Sequence, residues 1–119
     1  MEIMVVDDEP ILRWMFSEIL QDAGHSVTDA PTADDALAML EDGLDPRVVV
    51  TDVHMPGELN GFELAEVICR RWPHIGVVIV SGRMRPSPGD LPDESRFLAK
   101  PVHPDQLTAT VQQVAATHG

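Results

Sequence analysis

Short apolar runs alternate along the chain with longer segments whose apolar residues recur every three to four positions. The runs cover residues 3–6, 27–30, 48–53, 77–80 and 97–99. The first and fourth runs are continuously apolar, and so are the first three residues of the third, as is typical of strands covered on both faces. The intervening patterns predict helices over residues 10–23, 33–42, 61–72 and 104–117. Strands that alternate with helices predict an α/β fold in which helices cover both faces of a parallel sheet.

The starts of two predicted helices carry capping signals. Thr32 precedes Asp35 by three positions, and Asn60 precedes Glu63 by the same spacing. At this spacing the first side chain accepts a hydrogen bond from a backbone N–H in the first helical turn. Gly24 follows the first predicted helix, where glycine commonly ends a helix. These signals support the helix limits that the periodicity predicts.

The segment between the fourth and fifth predicted strands, residues 83–96, lacks a helical pattern. It holds Pro86, Pro88 and Pro92, with Gly89 among them, and each proline in a helix interior costs about 3 kcal/mol. We therefore expect an extended or turn-rich loop that orders upon activation of the protein.

Composition excludes several function classes. The 119 residues include 20 acidic and 8 basic side chains, for a formal net charge of −12. Phosphate backbones and anionic membranes repel such a chain, so we expect no direct nucleic-acid or membrane partner.

Cys69 is the only cysteine, which excludes an internal disulfide. The N-terminus resembles no signal peptide and no apolar run could span a bilayer, so we expect one cytoplasmic domain over residues 1–119.

Polar side chains follow most of the apolar runs. Asp7 and Asp8 follow the first, Asp52 lies near the end of the third, Ser81 follows the fourth and Lys100 follows the fifth. Any one aspartate alone would be interpreted as a helix cap. In a doubly wound sheet of order 2-1-3-4-5, however, the carboxyl ends of strands one and three meet at the ligand-binding edge. The sequence therefore predicts that all five side chains converge.

Three neighbouring carboxylates repel one another unless their pKa values rise or a cation binds between them. Oxygen ligands at a solvent-accessible edge suit Mg²⁺, which prefers carboxylates together with phosphate oxygens. Such a site could neutralise a phosphoryl group that is passing to a carboxylate nucleophile. The lysine and serine add a positive charge and a hydroxyl donor for that group. The pattern predicts an acyl-phosphate site.

Taken together, these residues resemble the receiver domains of two-component response regulators, in particular single-domain chemotaxis-regulator-like members. The resemblance covers essentially the whole chain and rests on five features: the acidic pair, Asp52 followed by Met55-Pro56, Gly61, Ser81-Gly82 and Lys100-Pro101. It implies a flavodoxin-like (βα)₅ fold, from which this chain should depart by a short or missing helix after the fourth strand, where the prolines lie. It also implies a phosphoprotein that accepts its phosphoryl group from a histidine kinase or a histidine phosphotransfer protein and then binds a downstream protein.

The resemblance also assigns roles to individual residues. Asp52 would be the phosphoacceptor. The metal ligands would be Asp7, Asp8, Asp52 and the backbone carbonyl of His54. The phosphoryl oxygens would be held by Ser81, Gly82 and Lys100. Ser81 and Phe97 would form the switch, although phenylalanine lacks the phenol of the tyrosine that is frequent at this position.

Two other classes of protein remain as alternatives. An Asp-nucleophile Mg²⁺-dependent phosphohydrolase would carry a second aspartate two residues after the nucleophile, where this chain has His54. A receiver-like scaffold that signals without phosphorylation would not need Asp8, Asp52, Ser81 and Lys100 together. We therefore favour a domain that catalyses only its own phosphorylation and dephosphorylation.

The resemblance also suggests that the first predicted helix helps to dock the phosphodonor. Ile11, Met15 and Ile19 recur at intervals of four, which predicts a stripe that faces the core. Trp14 would lie at the edge of this stripe, either as an exposed anchor for the phosphodonor or partly buried against the last helix.

Overall fold

The computed structural model describes residues 1–54, 57–82 and 95–118. Its strands are β1 (Glu2–Val6), β2 (Ser26–Ala30), β3 (Val48–Asp52), β4 (Gly76–Ser81) and β5 (Arg96–Ala99). Its helices are α1 (Pro10–Asp22), α2 (Ala33–Glu41), α3 (Gly61–Arg71) and α4 (Pro104–His118). All the predicted strands and helices form, with limits that differ from the predictions by at most one residue. The loop predicted over residues 83–96 lies outside the described residues, except for Ser95 and Arg96.

The five strands form one parallel sheet in the order β2-β1-β3-β4-β5. The predicted α/β class and strand order are therefore confirmed. Because β1 and β3 are direct neighbours and their helices leave toward opposite faces, the ends of these two strands open a crevice at the sheet edge. In the part of the chain that the structure describes, no helix has the length and apolar character to cross a membrane.

Among the residues that the structure describes, each face of the sheet packs against one pair of helices. Met4 and Val6 of β1 join the cluster formed with α2 and α3, whereas Ile3 and Val5 join the cluster formed with α1 and α4. This division follows from the alternation of side chains along a strand. Because both faces are covered, β1, β3 and β4 are buried along nearly their whole length. The apolar stretches 3–6, 48–50 and 77–80 within these strands reflect this burial.

The predicted caps form. The Thr32 side chain accepts a hydrogen bond from the Asp35 backbone N–H at 3.1 Å. Asn60 and Glu63 make a reciprocal capping box in which both hydrogen bonds measure 2.9 Å. Gly24, the second residue after α1, adopts a φ of 96°, a left-handed conformation that glycine adopts without strain.

The prediction that Ile11, Met15 and Ile19 of α1 face the core is wrong. Ile11 is 73% exposed and Met15 is 43% exposed, and Ile19 is only partly buried. The helix instead buries Phe16 and Leu20, which pack against the sheet and α4. Leu12, Phe16 and Leu20 have the same four-residue spacing as the predicted stripe. Both rows are apolar, so the pattern alone does not determine which one faces the sheet.

Candidate phosphorylation and metal site

Three aspartates meet at the carboxyl edge of the sheet. Each of Asp7, Asp8 and Asp52 offers a carboxylate oxygen, and these oxygens lie within 4.8 Å of one another. Asp52 ends β3, while Asp7 and Asp8 directly follow β1, its neighbour in the sheet. Among the described residues this is the one cluster of three or more acidic, histidine or cysteine side chains with such spacing. The structure therefore brings together the three aspartates that the sequence places at this edge.

The two members of the acidic pair have different environments. Asp7 is 1% exposed, whereas Asp8 is exposed and lines a cavity of about 290 Å³. Burial raises the pKa of the Asp7 carboxyl to about 6, against the lowering effects of the Glu9 backbone N–H and of Lys100. The Oδ2 atom of Asp7 is buried and has no hydrogen-bond partner among the described residues. A buried oxygen of this kind is a suitable ligand for a cation.

Asp52 is held firmly at the end of β3. Its Oδ1 accepts a hydrogen bond from the Val53 backbone N–H at 2.8 Å, and the side chain is part of the cavity wall. Behind it, Gly61 begins α3 and its N–H donates to the Val53 carbonyl at 2.9 Å. A Cβ at position 61 would collide with the Asp52 carbonyl oxygen. Glycine is therefore required here because α3 packs directly against the Asp52 backbone.

Lys100 supplies the positive charge that faces these carboxylates. Its Nζ lies 3.5 Å from Oδ1 of Asp52 and 3.8 Å from Oδ2 of Asp7. Its backbone N–H donates to the Ser81 carbonyl at 3.0 Å, which joins the ends of β4 and β5. Opposite charges within about 4 Å stabilise the ionised form of each partner. The Lys100 ammonium therefore offsets part of the electrostatic repulsion among the three carboxylates.

Three of the remaining predicted site residues line the cavity, and one does not. Ser81, Gly82 and His54 line the cavity together with Asp52 and Lys100. Phe97 is half-buried on β5, where it packs against the cluster formed with α2 and α3, and it does not line the cavity.

Two further residues line the cavity, and the sequence interpretation did not identify them. Glu9 directly follows the acidic pair, and Leu12 lies in the first turn of α1. Both residues lie close in sequence to Asp7 and Asp8, and this proximity could have indicated that they line the same cavity.

The comparisons with known proteins agree with this geometry. Residues 3–112 match the family model of the response regulator receiver domain. The protein PilH of Pseudomonas aeruginosa is 30% identical over 119 residues, a match that covers 96% of this chain and 97% of PilH. Several other curated relatives are longer, and this chain spans 12 to 26% of their length.

Solved structures give the same result. The response regulator receiver protein from Sinorhizobium medicae superposes with a TM-score of 0.90 at 30% identity, covering 99% of this chain and 96% of that chain. The response regulator protein TrrA from Thermotoga maritima, in complex with Mg²⁺ and BeF, superposes with a TM-score of 0.81 at 27% identity. That match covers 95% of this chain and 97% of TrrA. The chain therefore belongs to the response regulator receiver domain family of two-component signalling.

Proposed function

We propose that this receiver domain takes a phosphoryl group onto the carboxylate of Asp52, with Mg²⁺ as cofactor. The observation that carries this proposal is the convergence of three aspartate side chains within 4.8 Å beside the ammonium of Lys100. The family is one of signalling domains rather than of classical enzymes. The chemistry we propose is accordingly limited to the domain's own phosphorylation and dephosphorylation.

The residues present fit a magnesium ion. Its ligands would be the carboxylates of Asp7, Asp8 and Asp52 and the backbone carbonyl of His54. The oxygen-only donor set and the buried Oδ2 of Asp7 support this assignment, as does the Mg²⁺ in the TrrA complex. When bound, Mg²⁺ would neutralise charge on the carboxylates and on an incoming phosphoryl group.

The transfer itself requires a nucleophile and support for the phosphoryl oxygens. An oxygen of Asp52 attacks phosphorus, the phosphorus–nitrogen bond of a phosphohistidine breaks, and the nitrogen keeps the electron pair. Lys100 then contacts the phosphoryl oxygens through its ammonium, and Ser81 and Gly82 contribute a hydroxyl and a backbone N–H. Their positions around the same cavity support these roles.

The phosphorylated state would be transmitted through the ends of β4 and β5. Ser81 and Phe97 lie on these adjoining strands, with Ser81 in register with Ala99, two residues beyond Phe97. Movement of the serine hydroxyl toward the phosphoryl group would change the packing of the neighbouring aromatic ring. Two-state side-chain switches of this kind alter which partners a surface can bind.

The proposed phosphorylation is tested by incubating the protein with acetyl phosphate and measuring its intact mass. We expect the mass of one phosphoryl group to be added when MgCl₂ is present and not when EDTA replaces it. Asp8→Ala should raise the Mg²⁺ concentration that is needed. Continuous release of inorganic phosphate with rapid turnover would instead support a phosphohydrolase, and no uptake at any Mg²⁺ concentration would support an unphosphorylated scaffold.

Receiver domains interact with histidine kinases or phosphotransfer proteins, and we propose that this domain accepts its phosphoryl group from such a protein. We further propose that the donor docks on α1. The exposed apolar side chains of Ile11, Trp14 and Met15 lie there, and Trp14 is 62% exposed. Met15 also lines an apolar groove with Pro101 and Val102, which leads toward Lys100. Exposed aromatic side chains of this kind commonly anchor protein interfaces.

Trp14→Ala should slow phosphotransfer from a phosphorylated histidine donor by roughly 10-fold or more, the typical effect of truncating an aromatic interface anchor. Acetyl phosphate is too small to use this surface, so its rate of uptake should not change. The matched control is Trp72→Ala, which truncates a tryptophan at the opposite end of the domain, after α3. An equal loss of both rates in Trp14→Ala would contradict the docking role and indicate a structural one.

A further inference from the structure

Arg13 connects α1 to the ends of two strands. Its Nη1 donates a hydrogen bond to the backbone carbonyl oxygen of Asp7 at 2.8 Å. Its Nε lies 3.6 Å from Oδ2 of Asp29 near the end of β2. The guanidinium therefore spans from the segment that follows β1 to the edge strand of the sheet. Arg13 does not itself line the cavity among the described residues.

The contact with Arg13 completes the backbone support of Asp7. On its amide side, the Asp7 N–H donates to the Ala30 carbonyl of β2 at 3.2 Å. The Asp7 side chain accepts from the Glu9 N–H at 2.9 Å. The carbonyl that Arg13 contacts belongs to the peptide plane joining Asp7 to Asp8. Because that plane is rigid, fixing the carbonyl also fixes the direction in which the chain enters Asp8.

We propose that Arg13 is a positioning residue for the cation site: it holds the Asp7–Asp8 peptide so that both carboxylates face Asp52. This inference rests on the proposed Mg²⁺ site and concerns a residue outside the cavity that acts through the backbone. Partners of this kind, one step removed from the metal, typically change metal affinity by roughly 10- to 100-fold when they are removed.

The charge of Arg13 and its contact with the Asp7 carbonyl should affect Mg²⁺ affinity in opposite directions, so the inference can be tested. A guanidinium close to a cation site repels the cation, so its loss would strengthen Mg²⁺ binding if charge were its only influence. If Arg13 orients the acidic pair, its loss weakens binding because the carboxylates of Asp7 and Asp8 no longer both face Asp52. The sign of the change in affinity therefore separates the two roles.

The experiment is calorimetric titration of MgCl₂ into the intact protein, with urea unfolding of each variant to establish that it is folded. We expect Arg13→Met to weaken Mg²⁺ binding by roughly 10-fold. Arg13→Lys should fall between Arg13→Met and the wild type, because one ammonium cannot contact the Asp7 carbonyl and Asp29 together. The matched control is Arg71→Met, which removes an arginine whose ion pair with Glu41 joins α3 to α2. It should leave Mg²⁺ affinity nearly unchanged.

Unchanged or tighter Mg²⁺ binding by a folded Arg13→Met would overturn the positioning role while leaving the proposed function intact. If Arg13→Met does not fold, Arg13→Lys decides the question, since it keeps the charge: wild-type affinity in that variant overturns the inference and weaker binding supports it. A wild-type protein that binds no Mg²⁺ at millimolar concentration would overturn the proposed function and this inference together.

Discussion

Asp52→Asn is expected to abolish phosphoryl uptake completely. The asparagine amide keeps an oxygen that can accept the Val53 N–H, so the local backbone should be retained. It carries no negative charge, however, and an amide oxygen is not an effective nucleophile toward phosphorus. Intact-mass measurement after incubation with acetyl phosphate and MgCl₂ should therefore show no added phosphoryl group, at concentrations that modify the wild type.

The control for this result is Asp45→Asn. Asp45 is exposed and pairs with His74 through a contact of 2.6 Å, before β3 rather than after it. This substitution has the same chemistry and should leave uptake unchanged. Fragment-ion mapping of the modified wild type should place the phosphoryl group on Asp52. Equal uptake by wild type and Asp52→Asn, or a phosphoryl group on Asp7 or Asp8, would contradict the assignment.

Asp7→Asn is expected to stabilise the metal-free protein at neutral pH. Burial raises the pKa of the Asp7 carboxyl from 3.8 to about 6 in the folded state. A raised pKa means that the folded state prefers the protonated acid, so the contribution of Asp7 is most favourable below pH 3.8 and is lost as the pH rises through about 6. The difference in pKa corresponds to about 3 kcal/mol of unfolding free energy. Asp7→Asn cannot ionise, so it should not lose this unfolding free energy as the pH rises.

Urea unfolding in EDTA between pH 4 and pH 7.5 measures the effect. The stability advantage of Asp7→Asn over the wild type should be small at pH 4 and should approach about 3 kcal/mol at pH 7.5. Adding MgCl₂ at pH 7.5 should stabilise the wild type much more than the variant. Asp22→Asn, at an exposed position near the end of α1, corrects for the change in net charge. An advantage that does not depend on pH would contradict a buried, protonatable Asp7.

The sequence by itself determined the secondary structure and the class of fold. Residues 48–50 and 77–80 are apolar at consecutive positions, which favours cover on both faces and therefore a central place in a parallel sheet. The capping box of Asn60 and Glu63 involves residues three positions apart, so it is encoded locally and forms as predicted. The meeting of Asp7, Asp8, Asp52 and Lys100 was also predictable, because the ends of parallel strands share one edge.

The tertiary structure alone decided which face of α1 is buried. The rows that contain Ile11 and Phe16 are both apolar, and the choice between them depends on where the sheet and α4 lie. Residues that are distant in sequence therefore determine which row of α1 is buried, and the pattern within the helix does not contain that information.

The same limit applies inside the site. Asp7 and Asp8 are identical, adjacent residues, yet one is buried with a raised pKa and the other lines the cavity. The contact of Arg13 with the Asp7 carbonyl and the close approach of Gly61 to Asp52 likewise arise only when separate elements pack together. Periodicity and capping act over a few residues of chain, whereas burial, pKa and backbone support depend on atoms brought together across the whole fold.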